Sequence, residues 1–439
     1  MAEIWEYCLA TGLADGADAA AALALLARFC LPCHATGGDA PMRLETTLQV
    51  QRRSAQIEQS LAEARMPPWL PGGGGLEIRG APGISDSDRA LLRRWIAAGL
   101  PGLPAEPAPL APAPPAPSPP APASGVPAAA PSLPAAEAAA PWVPLARMTQ
   151  GWSIPAEGEW RSRAFALPSR ESAPAMLRAL RWRADDGADA VGAITVVADP
   201  ARQARILEGA DGSPGYEGAG DVGLFSSGTA GAMGVGQRTF SLPAGYGIPW
   251  PAGADAVVEM HALPGGRPRT VQGALEAQAA EPGATPVTGL LLFSLDVDIP
   301  PGTCGAVMRR SVELTQEAEL LGALPRAHGI CTGMTLRVHR PGESSLTVLE
   351  LPRWDPHLRR AYLLAAPLRL PAGTTLDVEW RFDNSAANPR VSDPPQQVRL
   401  GMGMRDEWPG MLLWLAAPQE RFAALEETVR TLHARQMEE

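Results

Sequence analysis

The sequence predicts a multidomain chain: a small all-α unit, a Pro/Ala-rich spacer, then two tandem antiparallel β-sandwiches and a closing helix. Three observations predict it. Apolar residues recur at helical spacing over the first hundred residues. Residues 101–141 are almost wholly Pro and Ala. Short alternating or apolar runs separated by Gly, Pro, Asp and Asn then recur as far as residue 417. The expected boundaries are 1–100, 101–141, 142–287, 288–417 and 418–439. A length of 439 residues suits such a division.

In the first unit, residues 17–34 have helical apolar spacing. Residues 43–65 predict a second amphipathic helix through Leu44, Leu48, Ile57 and Leu61, ended at Met66-Pro67-Pro68-Trp69 because proline stops helices. Gly72–Gly75 reads as a flexible loop with no following Lys or helix, so it is no phosphate loop. Ser85-Asp86-Ser87-Asp88 predicts a capped helix over 86–98, terminated by Gly99-Leu100-Pro101.

The chemistry of this unit lies in Cys30-Leu31-Pro32-Cys33-His34, the C-x-x-C-H pattern of covalent c-type haem attachment. Cys30 and Cys33 would add to the haem vinyl groups, and His34 would ligate the iron. The competing reading is a C-x-x-C redox or zinc half-site with a bystander His. It lacks a second C-x-x-C and a surrounding βαβ pattern. One covalent haem c is therefore expected. Met42 and Met66 are the Met residues after His34 in this unit. Met66, held before two prolines, is the expected second axial ligand; a packed core Met is the alternative. Helix, haem motif, middle helix, Met loop and closing helix is the layout of a class I cytochrome c.

The spacer composition predicts a polyproline-II segment. Its roughly 40 residues at ~3.1 Å each reach more than about 100 Å, enough to hold the haem unit away or let it swing back. In the β region, strands are expected over 190–197, 256–261, 289–297, 306–314, 318–324, 335–339, 345–351, 375–382 and 397–401, with a joint near 286–288. Residues 418–439 predict an amphipathic helix through Phe422, Leu425, Val429 and Leu432.

Two further blocks are distinctive. Residues 325–338 read PRAHGICTGMTLRV, and 371–389 read PAGTTLDVEWRFDNSAANP. With Leu351-Pro352-Arg353-Trp354-Asp355, Pro214-Gly215-Tyr216 and the N-terminal C-x-x-C-H, these resemble bacterial relatives of the copper type II, ascorbate-dependent monooxygenases, the peptidylglycine-hydroxylating family. The resemblance implies two tandem jelly-roll-like sandwiches and two copper sites, one held by three His and the other by two His and a Met. Carried over by position, the paired His of the first site fall at Val191-Gly192 and are absent, while its third corresponds to His261. The His-x-His of the second site falls on Arg326-Ala327-His328, leaving His328. The Met that follows an Asp-Glu pair is replaced, since Asp406-Glu407 precedes Trp408. Each site keeps one ligand of three, and an Arg at a ligand position never deprotonates. Copper is thus not expected. His261 and His328 read as hydrogen-bonded interior residues, and His339, His357 and His433 as surface residues. Met402, Met404 and Met411 near Trp408 read as core or edge residues, with a substitute soft ligand as the alternative.

Net charge is −10, all basic residues are Arg, and no basic stripe is visible, which argues against nucleic acid. No apolar stretch reaches about 18 residues, so no transmembrane helix is expected. Cys304 and Cys331 form a disulfide or two buried thiols, and Cys8 is left over. Haem attachment implies a periplasmic or other extracytoplasmic location. Yet residues 1–16 lack the basic and apolar regions of an export signal, which leaves a removed signal, a misassigned start or export with a partner. The expected function is electron transfer to a redox partner or within a larger redox complex, the sandwiches serving as a docking or assembly scaffold. Enzymatic activity is left open. The alternatives are a haem-coupled copper monooxygenase and a binding module with a redox-sensing haem.

Overall fold

The computed structural model describes residues 16–35, 40, 42–63, 66, 71–80, 84–105, 140–158, 160–170, 175–187, 190–217, 229–235, 237–262, 264–401, 403 and 405–438. Cys8, Pro67, Pro68, Met402, Met404 and most of the spacer lie outside these residues. The described chain is mostly β-sheet, with a small helical region at its N-terminal end and a helix at its C-terminal end.

The helical region begins with α1 (Gly16–Leu25), which continues through a π turn (Leu26–Cys30) into α2 (Leu31–His34). The expected second helix is split into α3 (Thr47–Gln51) and α4 (Ser54–Ala62). Thr46 caps α3 reciprocally with Gln49, so that helix starts later than residue 43. Ser85 and Asp88 form the predicted capping box of α5 (Asp86–Ala97). Leu26, Leu44, Val50, Leu61, Leu92, Trp95 and Ile96 make one apolar core. Residues 101–105 belong to this region rather than to the spacer: Trp95 Nε1 donates to Pro101 O at 3.0 Å, and Thr47 N to Pro104 O at 2.9 Å.

The β region opens with β1 (Val143–Arg147), β2 (Trp152–Ile154), β3 (Arg161–Leu167), β4 (Ala175–Asp186), β5 (Val191–Asp199) and α6 (Ala204–Leu207). It continues with β6 (Thr229–Gly234), β7 (Thr239–Ser241), β8 (Tyr246–Trp250), β9 (Asp255–Ala262), β10 (Arg269–Ala279) and β11 (Thr285–Phe293). The remaining strands are β12 (Asp298–Ile299), β13 (Cys304–Leu314), β14 (Ala318–Arg326), β15 (Cys331–His339), β16 (Leu346–Leu351), β17 (Tyr362–Leu370), β18 (Thr374–Asp383), β19 (Val398–Arg399) and β20 (Gly410–Ala416). The chain ends in α7 (Gln419–Glu438).

The expected joint near 286–288 falls inside β11 and is no boundary. A ten-stranded sheet runs β1-β10-β4-β8-β11-β20-β14-β17 through both halves, joined by the short parallel pairing of β8 with β11. On one side the four-stranded sheet β3-β9-β5-β6 shares a core with it; on the other, β13-β18-β15-β16 does. The shared strands are buried on both faces. Leu291, Leu412 and Trp414 pack into the first core, while Leu290, Leu292, Met411 and Leu413 pack into the second. That is why β20 reads as an unbroken apolar run with no alternation. Met411, fully buried there, is a core residue.

Two side chains of α7 complete the edge of β11. Gln436 accepts from Phe293 N at 3.0 Å and donates to Leu291 O at 3.1 Å, and His433 Nε2 accepts from Leu291 N at 2.8 Å. His433 is therefore a half-buried structural residue and not the surface residue expected. The Asp383–Pro389 block is likewise structural, since Asn384 Nδ2 donates to the carbonyls of Ile299, Pro300 and Gln396.

The glycine-rich segment is not a free loop. Residues 71–80 form a strap along β16 and β17. Gly72 N donates to Glu350 O at 2.8 Å, Leu76 N to Val348 O at 2.9 Å, and Arg79 N to Leu363 O at 2.7 Å. Ile78 enters the second core. A Cβ on Gly75 would stand 2.8 Å from Val348 O, so only glycine allows this approach. The strap ties the helical region to the sandwiches.

Candidate functional site

The structure gathers Cys30, Cys33, His34 and Met66 on the wall of one apolar cavity of about 480 Å³. Cofactor sites have volumes of roughly 300–1,000 Å³. The π turn and α2 bring the cysteines and His34 to it, α3, α4 and α5 supply apolar walls, and Met66 follows α4. A π turn at this place is typical of functional sites. His34 Nδ1 lies 3.0 Å from Met42 O, a bond that makes Nδ1 the donor and leaves the proton off Nε2 in the neutral ring. Burial holds His34 below its usual range, against the opposing pull of Met42. Neither thiol is in a disulfide and both are half-buried, and burial with Cys33 alongside pushes Cys30 up to about 12. Met66 is 40 % exposed, and its carbonyl accepts from Arg89 at 2.8 Å. An apolar cavity carrying two thiols, an imidazole with one free nitrogen and a thioether fits a covalently attached haem.

The helical region does not close this cavity alone. Trp160, the start of β5, Pro264-Gly265 and the 3₁₀ turn Pro356–Leu358 complete it from the sandwiches. His357 is exposed and yet lines the cavity, its ring edge-on to Trp160 at 5.0 Å.

His261 and His328 lie close together behind this wall; His261 Nε2 is taken up by Arg359 and Glu259, while His328 bonds through Nδ1. Around His261 stands a buried charge cluster. Glu259 pairs with Arg326 at 2.9 Å and reaches His261 Nε2 at 3.1 Å. Arg359 crosses from the second half to His261 Nε2 at 2.8 Å and to Thr195 Oγ1 at 3.1 Å. Gly234 admits that crossing, since a Cβ there would sit 2.1 Å from Arg359 O. Burial alone would neutralise Glu259, but Arg326, His261 and Arg359 outweigh it and hold its carboxyl well below the usual range. Burial and the Arg359 charge hold His261 down, against the opposing pull of Glu259.

His328 Nδ1 lies 3.0 Å from Asp406 O, and burial, with His261, Arg359 and Arg326 nearby, pushes it down to about 4 despite that bond. Glu407 accepts from the backbone N–H groups of His328, Ile330 and Cys331 at 2.7, 2.8 and 3.1 Å, while burial raises it to about 7. Trp408 covers Arg326, with the guanidinium 5.0 Å from the ring centre. Arg326 and Arg359 beside an arginine-bound His261 do not make a copper ligand set. Among the described residues, no group of three or more His, Cys, Asp or Glu is placed to hold a metal ion.

Cys304 and Cys331 form no disulfide. Both are free, Cys304 exposed and Cys331 buried. They pair with Asp383 and Phe382 on opposite edges of β18. Two strand spacings of about 4.8 Å separate them, beyond the roughly 7 Å limit for bridging.

Glu259 had a legible sign, a carboxylate inside the apolar run of β9. Arg359, Trp160 and His357 had none, because they meet only through tertiary contacts.

No family profile and no curated protein matches the chain. Among solved structures, the VP2 subviral particle of infectious bursal disease virus is 9% identical over 66% of this chain and 74% of that one, with a TM-score of 0.18. A xanthan lyase from Paenibacillus is 9% identical over 62% of this chain and 25% of that one, with a TM-score of 0.15. Neither likeness carries an argument about fold or function.

Proposed function

We propose that the chain is a c-type cytochrome that transfers electrons and uses its β-sandwiches as a scaffold covering the haem. The observation that carries this reading is the single cavity joining Cys30, Cys33, His34 and Met66. In it, Cys30 and Cys33 would hold the porphyrin through thioethers, and His34 would offer Nε2 to the iron with its ring oriented by Met42 O. Met66 would offer a thioether sulfur from the helical region. Haem, when bound, supplies a one-electron iron couple, and Met/His ligation raises its potential. The walls of the cavity are mostly apolar, which also favours a high potential.

The helical region is read as a class I cytochrome c domain and the sandwiches as a monooxygenase-like pair. The copper chemistry of that family is not part of the proposal. The positions resembling copper ligands hold Arg326, an arginine-bound His261 and a carbonyl-bound His328. Fold does not carry activity without its site. The reading places the chain outside the cytoplasm, where haem is attached to C-x-x-C-H, with a redox protein as its partner. Its test is expression with a c-type maturation system followed by denaturing electrophoresis. Haem that stays with the chain supports the reading, and haem lost on denaturation refutes it.

A further inference from the structure

The cavity carries two imidazoles from distant parts of the chain. His34 comes from the haem motif, and His357 comes from the second half. The backbone fixes His357: Asp355 Oδ1 accepts from His357 N at 3.0 Å, and the buried Pro356 starts the turn. Its ring is held edge-on to Trp160, and neither ring nitrogen takes a hydrogen bond from the described residues. Met66, by contrast, is 40 % exposed, its backbone N donating to Ser60 O at 3.3 Å.

Resting on the haem reading above, we propose that His357 is a second distal ligand, competing with Met66 for the sixth position on the iron. The exchange breaks an iron–sulfur bond and forms an iron–nitrogen bond, with no electron gained or lost. Imidazole in place of thioether lowers the potential. The strap of residues 71–80 holds the helical region against the sandwiches, so ligation by His357 couples the potential to that docking.

The test uses the full-length haem-loaded chain as wild type, Met66→Ala, His357→Ala, His357→Gln and the double alanine variant. Spin state and thioether-to-iron absorption are read by optical and paramagnetic resonance spectra, and the potential by redox titration. Met66→Ala is expected to stay low-spin with a lowered potential. Both His357 variants are expected to show stronger thioether absorption and a raised potential. The double variant is expected to turn high-spin and return to low-spin with added imidazole. A Met66→Ala protein that turns high-spin, or His357 variants with the wild-type spectrum and potential, overturns the proposal while leaving the haem reading intact. A wild-type chain that takes up no covalent haem overturns both.

Discussion

Replacing Glu259 by Gln removes one charge from the best-buried ion cluster in the molecule. Glu259 is 1% exposed, and its oxygens face Arg326 at 2.9 Å, Arg359 at 3.5 Å and His261 at 3.1 Å. Gln has the same shape, but its amide NH₂ must face either a guanidinium or the His261 Nε2 that Arg359 also contacts. Two arginines are then left in a dry site with no carboxylate. Breaking a buried pair in this way costs about 3–5 kcal/mol. For a β region of this size, each 1 kcal/mol moves the melting temperature by roughly 2–4 °C, so a fall of about 6–20 °C is expected. Urea unfolding followed by tryptophan fluorescence gives the free energy directly. Changing Glu259, Arg326 and Arg359 together to Met is expected to recover most of the loss, because no charge is then left unpaired. A Glu259→Gln protein within about 1 kcal/mol of wild type would refute the argument that the cluster is held by mutual charge.

Met66→Ala is expected to keep haem covalently attached while losing the thioether-ligated spectrum and the high potential, as absorption and redox titration will show. Gly75→Val places side-chain atoms against Val348 O. It is expected to release backbone bonds of about 1 kcal/mol each and Ile78 burial of roughly 2–3 kcal/mol. Fast hydrogen exchange at Leu76 and Ala365 is the readout, and retained protection would contradict the strap. Glu407 is raised from 4.5 to about 7 in the folded chain, so the folded state binds the extra proton. Its contribution is full below about pH 4.5 and is lost as pH rises through about 7, which is about 3 kcal/mol at 1.36 kcal/mol per pH unit. The difference between wild type and Glu407→Gln across that range measures it. A maleimide is expected to label Cys304 in the native chain without reductant and to leave Cys331 unlabelled, since burial and the Glu407 charge hold that thiol well above its usual range.

Much of the architecture was legible because it rests on local patterns. The capping box at Ser85, the C-terminal helix and strands such as β9, β14 and β18 follow from spacing and turn residues. The strands that were missed include β10, whose polar residues interrupt its alternation, and β20, which is buried on both faces and so carries no period. The shared central sheet was illegible because the pairing of β11 with β20 joins residues more than a hundred positions apart. The four cavity residues were found together because three lie within the five-residue C-x-x-C-H and the fourth precedes a proline pair. The outer wall, Trp160 and His357, and the charge cluster of Arg359 are assembled only by the packing of one half on the other. Gly72–Gly75 was read as flexible because glycine runs usually are; here the missing side chains permit close backbone approach to β16.

Iron and copper per chain, measured on protein matured with a c-type haem system and then offered copper, test the central claim most directly. One iron and no copper is the predicted result. A chain with no covalently held iron, or with one iron and one or two tightly bound coppers, would contradict it.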